Sequence, residues 1–318
     1  MQTALVAGGA GFIGSHLCKS LLDDNYKTYC IDNLITGDEK NLQELRGNSN
    51  FNFTNRDIDV LVKELQIKKI DYIFHLASPA SPNKKSPRSY INHPIETLLV
   101  NSQGTYNLLE LARKYSAKFL YASSSEIYGD PTISPQKEDY FGNVNPNGVR
   151  SVYDEGKRFG EAMTMAYVRK YKVDARIIRI FNTYGPKMRA DDGRVVSNFI
   201  NQAILNNKIT VYGKGSQTRS FCYIDDMIKG VKSAMFSDKT TGEVVNLGNP
   251  QERKILELAN LIKKMTNSGS EIVFEELPRD DPKSRKPDIE KAKTLLNWQP
   301  KVSVEEGLNK TIAYFRNL

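Results

Sequence analysis

The sequence predicts an α/β fold: a doubly wound parallel sheet with a smaller, discontinuous C-terminal part. Three observations point there. Short apolar runs alternate with amphipathic stretches over the first 180 residues. The runs are apolar on both faces, as strands buried between two helix layers are. A glycine-rich turn follows the first run and opens the first amphipathic stretch. Strands alternating with helices in this way build parallel sheets.

Strands are expected at 3–7, 28–31, 52–55, 72–76, 119–123 and 175–181, each short and bounded by polar residues or glycine. Helical periodicity marks 14–22, 95–114 and 152–170. The last of these opens with Ser151-x-x-Asp154, which reads as a capping box, and Asp154 and Arg158 stand one turn apart as an ion pair. Beyond Gly185-Pro186 the elements shorten, with loops expected at 189–193, 213–217 and 278–287, while 244–247 reads as a further strand of the main sheet. The expected division is therefore 1–185 plus about 216–249 for the sheet domain, and about 186–215 plus 250–318 for a second lobe.

Composition narrows the function. Of 318 residues, 39% are hydrophobic and 26% charged, enough apolar surface for a core. No apolar run approaches the roughly 20 residues of a membrane span. The first expected strand starts almost at once, leaving no room for a signal peptide, and Cys18, Cys30 and Cys222 lack ligand spacing. Reduced thiols in a cytoplasmic protein are the expectation. The net charge is +8, but its Lys and Arg are scattered, which argues against nucleic acid and leaves an anionic small ligand open. His75 and His93 have no metal-like partners nearby in sequence, and no metal is expected.

The start, ALVAGGAGFIGSHL, places Gly9, Gly11 and Gly14 as G-x-G-x-x-G, with Gly8, Gly11 and Gly14 also spaced by three. The motif follows a strand, opens a helix, and Asp32 ends the next strand at the distance a Rossmann-type dinucleotide site requires. Backbone amides at Gly11, Phe12 and Ile13 would meet a pyrophosphate at a helix N-terminus. Asp32 suits ribose hydroxyls and repels a 2′-phosphate, so NAD is preferred over NADP; no Arg occurs in 33–40 to argue otherwise. Asp57 and Ile58, after the third strand, are placed to flank the adenine.

The fifth strand ends in Ser123-Ser124-Ser125-Glu126, and the carboxyl ends of strands line the ligand crevice of such sheets. A hydroxyl there can hydrogen-bond a substrate oxygen as that oxygen loses its proton. Tyr153 and Lys157 lie one turn apart on one helix face. Tyrosine, with a reference pKa of about 10, is a poor base at neutral pH. A neighbouring ammonium and a cationic nicotinamide both favour the phenolate. A tyrosinate can take the proton of an alcohol while its hydride leaves.

The glycine turn, the serine strand end and Tyr153-x-x-x-Lys157, in this order, resemble the extended short-chain dehydrogenase/reductase family. Ala7 departs from the family's usual threonine before the glycines, at a position that supports the loop and does not react. Longer runs are similar to the UDP-glucuronate decarboxylases within it: HLASPASP (75–82), SSSEIYGDP (123–131), SVYDEGKR (151–158), RIFNTYGP (179–186), VYGKGSQTRSF (211–221) and KPDIEKAK (286–293) among them. The resemblance implies NAD-dependent oxidation of UDP-glucuronate at C4, loss of CO₂ from the resulting β-keto acid, protonation at C5 and return of the hydride, giving UDP-xylose. Related UDP-sugar 4-epimerases, and a non-catalytic NAD-binding protein on the same fold, are the alternative readings. Sugar-nucleotide 4,6-dehydratases carry an Asp-Glu pair after the catalytic hydroxyl; here Ser125 holds the Asp position. The 4-epimerases usually lack a carboxylate where Glu126 stands.

As implied site residues, Ser124, Tyr153 and Lys157 form the catalytic trio, with Ser125, Glu126 and Arg219 serving the carboxylate and C5. Gly8, Gly11, Phe12, Ile13, Asp32, Asn33, Gly37, Asp57, Ile58, Leu76, Ala77, Ser78, Asn101 and Thr183, with Tyr153 and Lys157, are implied for NAD. Pro79, Asn182, Arg194, Tyr212, Arg219 and Arg285 are implied for the sugar nucleotide, the arginines suiting its anionic groups. The segment after Pro82, NKKSPRSYINHP, is longer than the usual decarboxylase loop. A homodimer is implied, built from helices near 95–114 and 151–171.

Overall fold

The computed structural model of the protein describes residues 1–58, 67–277 and 280–318. The expected loop at 278–287 begins at residues 278 and 279, which lie outside the described residues. Along the chain run β1 (Thr3–Ala7), α1 (Phe12–Asp23), β2 (Lys27–Asp32), β3 (Phe51–Asn55), β4 (Tyr72–His75), α2 (Pro94–Leu99), α3 (Thr105–Tyr115) and β5 (Lys118–Ser124). Then come α4 (Ser151–Tyr171), β6 (Ala175–Ile180), β7 (Thr183–Tyr184), α5 (Val195–Ile204), β8 (Ile209–Tyr212), β9 (Thr218–Ser220), β10 (Cys222–Tyr223) and α6 (Ile224–Phe236). The described chain closes with β11 (Val244–Leu247), β12 (Glu252–Lys254), α7 (Ile255–Thr266), β13 (Ile272–Glu275), α8 (Glu290–Leu296) and α9 (Val304–Arg316).

Seven strands form one parallel sheet in the order β11-β6-β5-β4-β1-β2-β3. The order reverses between β1 and β4. That switch point opens a crevice at the carboxyl ends of both strands, where ligands of doubly wound sheets bind. Alternate side chains of β1 go to opposite layers. Ala4 and Val6 join a core with Leu17, Leu21, Met227 and Val231 of α1 and α6, whereas Leu5 and Ala7 join Leu108, Leu111 and Tyr167 of α3 and α4. Burial on both faces is why these strands read as unbroken apolar runs. Residues 244–247 return to the sheet beside β6, as expected. Beyond β6, three two-stranded pairs form: β7 with β10, β9 with β12 and β8 with β13.

Two expectations are corrected. The helix expected over 95–114 is broken into α2 and α3 by a π turn at Val100–Gly104. Asn101 is fully buried there, and its amide donates to the Thr97 carbonyl at 2.8 Å and to Ser78 Oγ at 3.0 Å. A single wide turn displaces side chains without altering the apolar period, so the sequence pattern does not register it. The capping box at Ser151 is not made either. Arg150 precedes α4 in helical conformation without a side-chain cap. Asp154 is buried, with Oδ1 lacking a hydrogen-bond partner, and Arg158 pairs with Glu155 at 3.4 Å instead.

Candidate active site

The switch-point crevice widens into a cavity of about 890 Å³. One end is built by the glycine turn. Gly8 sits at φ +81°, and a Cβ there would stand 2.6 Å from the Ala77 nitrogen. Gly14 allows α1 to approach the turn, since a Cβ would lie 2.1 Å from the Gly8 carbonyl oxygen. Gly8, Gly11, Phe12 and Ile13 line the cavity, as do Leu76 and Ser78 from beyond β4. Asp32 stands back from the wall. Its carboxylate accepts the Ala10 N–H at 3.0 Å and the Leu34 N–H at 2.9 Å, with Gly37 packed against it. Burial raises its pKa, and the backbone donors oppose that. Asn33 donates to Asp57 Oδ2 at 2.7 Å. Ile58 is buried against Gly104. The turn and carboxylate thus fit a dinucleotide's pyrophosphate and ribose.

β5 delivers Ser124 and the short helical turn after it delivers Ser125 to the cavity wall, and α4 delivers Tyr153 and Lys157. Lys157 is fully enclosed, donating to the Ala122 carbonyl at 2.9 Å, with its ammonium 5.8 Å from the Tyr153 ring centroid. Burial lowers Lys157 to about 7, against the pull of Glu161. Burial pushes Tyr153 up to about 12, while the hydrogen bond from Ser124 opposes it. Burial therefore weakens the charged form of each group, and a positive charge arriving beside them would draw the phenol toward phenolate. Asn101 is not on the wall. It accepts the Tyr121 hydroxyl at 2.9 Å and braces the floor beneath α4.

Asn182, Thr183, Arg194, Tyr212 and Arg219 also line the cavity. Asn182 Oδ1 is buried without a hydrogen-bond partner. Arg194 is held by Asp192 and lies 5.8 Å from the Phe12 ring centroid. Arg219 pairs with Asp281 at 2.9 Å. Glu126 accepts from Arg150 and, at 3.3 Å, from Arg285, which also donates to the Gly129 carbonyl. Burial alone would raise Glu126, but Arg285 and Arg150 outweigh it and hold the carboxyl at about 2. Arg285 and Pro79 are buried behind the wall.

Arg150 and Tyr90 are among the wall residues that escaped the sequence reading. Arg150 is buried and bonds Glu126 and Asp281, joining both acids of the arginine cluster. Tyr90 stacks on the Tyr153 ring at 5.0 Å and 8°, with its hydroxyl buried and unpartnered. Tyr90 comes from the long segment after Pro82. Neither carries a sequence signal of its own, because an isolated Arg or Tyr in a loop reads as surface. His75 is fully buried against Thr105 Oγ1 at 3.0 Å, a packing role. Among the described residues no His, Cys, Asp and Glu group could hold a metal.

The geometry agrees with what the chain is similar to. The GDP-mannose 4,6 dehydratase family model matches residues 5–311. A UDP-glucuronic acid decarboxylase 1 of Xenopus tropicalis is 50% identical over 312 residues, covering 98% of this chain and 72% of that protein. One of Arabidopsis thaliana is 48% identical over 313 residues, covering 98% and 69%. Among solved structures, a UDP-glucuronic acid 4-epimerase from Bacillus cereus, in complex with UDP-glucuronic acid and NAD, matches at TM-score 0.86 and 30% identity, over 99% of both chains. With half its residues shared across nearly its whole length, and with the glycine turn, serine strand end and Tyr153/Lys157 pair meeting in one cavity, the chain belongs to the UDP-glucuronic acid decarboxylase family of extended short-chain dehydrogenases/reductases.

Proposed function

We propose that the protein converts UDP-glucuronate to UDP-xylose and CO₂, with NAD held tightly and regenerated in each cycle. The glycine turn and Asp32 would hold NAD, which would supply the acceptor for the C4 hydride and the donor for its return. Tyr153 takes the C4 hydroxyl proton and gives it back, Ser124 hydrogen-bonds that oxygen, and Lys157 favours the phenolate. The 4-keto sugar acid then loses CO₂ as its carboxylate electrons pass into the ketone. Ser125, Glu126 and Arg219 serve the carboxylate and the C5 proton. Arg219 and Arg285 also serve the diphosphate, Arg285 from behind the wall, while Arg194, Asn182 and Tyr212 flank the sugar nucleotide and Pro79 shapes the wall. The nucleotide residues are those of the glycine turn with Asp32, Asn33, Gly37, Asp57, Ile58, Leu76, Ala77, Ser78 and Thr183, and Asn101 serves them from behind the wall by holding Ser78.

The observation that carries this reading over the 4-epimerase is Glu126. It is ionised between Arg150 and Arg285, at the strand end that also supplies Ser124. Residues 1–185 with about 216–249 are assigned to NAD, and 186–215 with 250–318 to the sugar nucleotide. A cytoplasmic location is supported by three buried thiols without a disulfide. No helix among the described residues is long and apolar enough to cross a membrane.

Incubation with UDP-glucuronate and substoichiometric NAD⁺ tests the reading. CO₂ release with UDP-xylose is expected, and Tyr153→Phe should cut turnover by about 10²–10⁴ while still binding NAD. UDP-galacturonate without CO₂ would make the protein a 4-epimerase, and bound NAD without turnover would make it a binding protein.

A further inference from the structure

The segment 81–92 lines the cavity and is braced internally. Ser89 Oγ donates to the Ser81 carbonyl at 2.8 Å, and Asn92 donates to the Lys84 and Ser86 carbonyls at 3.0 and 2.8 Å. On one side the segment grips the sugar-nucleotide end. Ser81 Oγ donates to the Asp192 carbonyl, Asn83 packs against Gly193, and Lys85 pairs with Glu275 at 3.3 Å. On the other side Arg88 reaches the turn that follows Asp32, donating to the Ile35 carbonyl at 3.1 Å and the Gly37 carbonyl at 3.5 Å.

Arg88 Nε has no hydrogen-bond partner, and Asp191 Oδ2 stands 3.8 Å from it. Asp191 is in turn held by Arg189 at 2.8 Å, and Arg189 also bonds Asp38, at the end of the same ribose turn. The chain Arg88–Asp191–Arg189–Asp38 therefore starts and ends on residues 35–38 and passes through the loop after β7. The sequence has no arginine within 33–40; the fold brings two there from elsewhere.

We propose that residues 81–92 are a cofactor-retaining strap and that Arg88 is its pin, tying the ribose turn to the 189–193 loop so that the dinucleotide stays bound while the sugar nucleotide exchanges. The proposal rests on the NAD reading above. A cycle that returns its hydride needs the same nucleotide present from first step to last. A strap anchored at residues 35 and 37 obstructs departure from the glycine-turn end. Arg88 is a positioning residue: it acts through the turn carbonyls and Asp191.

The test loads the full-length protein with radiolabelled NAD⁺ and follows its release into excess unlabelled NAD⁺. Arg88→Ala should release NAD about tenfold faster, as expected from losing one charge-assisted contact. Arg88→Lys, which keeps the charge without the fork, should fall between. Because the network is partly exposed, raising salt should speed release from the unmodified protein and have much less effect on Arg88→Ala. Asp191→Asn attacks the same contact from the opposite loop, and its effect should be less than additive with Arg88→Ala. Equal release rates for the unmodified protein, Arg88→Ala and Asp191→Asn would overturn the strap alone. Failure of the unmodified protein to bind labelled NAD⁺ would overturn the NAD reading and the strap together.

Discussion

Glu126 shows how a single side chain sets the character of the site. Its Oε2 meets both Arg150 and Arg285, and its neighbour Asp281 faces Arg150 and Arg219. Three guanidiniums and two carboxylates are buried or nearly so, an arrangement stable only while each charge has a partner. Burial and Glu126 together push Asp154, on the adjoining helix turn, up to about 8, so it adds no full negative charge to the cluster. Glu126→Gln leaves Arg285 short of its carboxylate, while Arg150 keeps Asp281. The expected cost is about 2–3 kcal/mol, below the range for a wholly stranded buried charge. The pH dependence has a definite sign. Glu126 is held at about 2, below its ordinary 4.5, so its stabilisation is fully present above pH 4.5 and is lost as pH falls toward 2. Thermal melts of the two proteins should be furthest apart above pH 4.5 and converge in acid. A gap that stays constant to pH 3 would show that Glu126 is not ionised by this cluster.

At the scale of the element, α4 raises the question of why Tyr153 and Lys157 share a helix turn with a glycine. Glycine in a helix interior costs about 1 kcal/mol relative to alanine. A Cβ on Gly156 would meet Asn101 Cβ at 3.4 Å, an ordinary contact from the neighbouring π turn. Gly160, one turn on, is different: a Cβ there would lie 2.1 Å from the Tyr121 hydroxyl oxygen. That hydroxyl holds Asn101, and the Tyr121 ring lies 5.1 Å from the Lys157 ammonium. Gly156→Ala is therefore expected to be neutral or slightly stabilising in thermal melts. Gly160→Ala should destabilise by about 1–3 kcal/mol, the usual cost of overpacking a filled core, and should weaken NAD binding by shifting Lys157. The reverse order of effects would refute the assignment. Spacing in the sequence shows which residues share a helix face. It is silent on a tyrosine arriving from another strand. Periodicity and turn chemistry sufficed for the sheet strands, the glycine turn and the Tyr153/Lys157 face, all determined within a few residues. Arg150, Tyr90 and Arg88 stayed hidden because their partners are distant in sequence, as Arg88 is from Ile35.

For the whole molecule, the outer layer beside the site leaves apolar side chains uncovered. Ile95, Leu98 and Leu99 on α2, Tyr106 on α3 and Phe159 on α4 are all exposed, on helices packed against one another. Single exposed apolar residues are ordinary, but a group on adjoining helices is where a second body would dock. A second copy is the simplest occupant, since one self-complementary patch closes a two-fold pair. Because these residues lie on the helices that carry Lys157 and adjoin Asn101, pairing would also stiffen the floor of the site. Sedimentation velocity at micromolar concentration is expected to give twice the chain mass. The double variant Leu99→Glu/Phe159→Glu should sediment as a folded monomer, since neither side chain belongs to the monomer core and exposed substitutions usually shift stability by no more than about 0.5 kcal/mol. If the unmodified protein already sediments as a monomer, the exposed face is not a self-association surface. If the double variant remains a dimer, the contact lies elsewhere on the molecule.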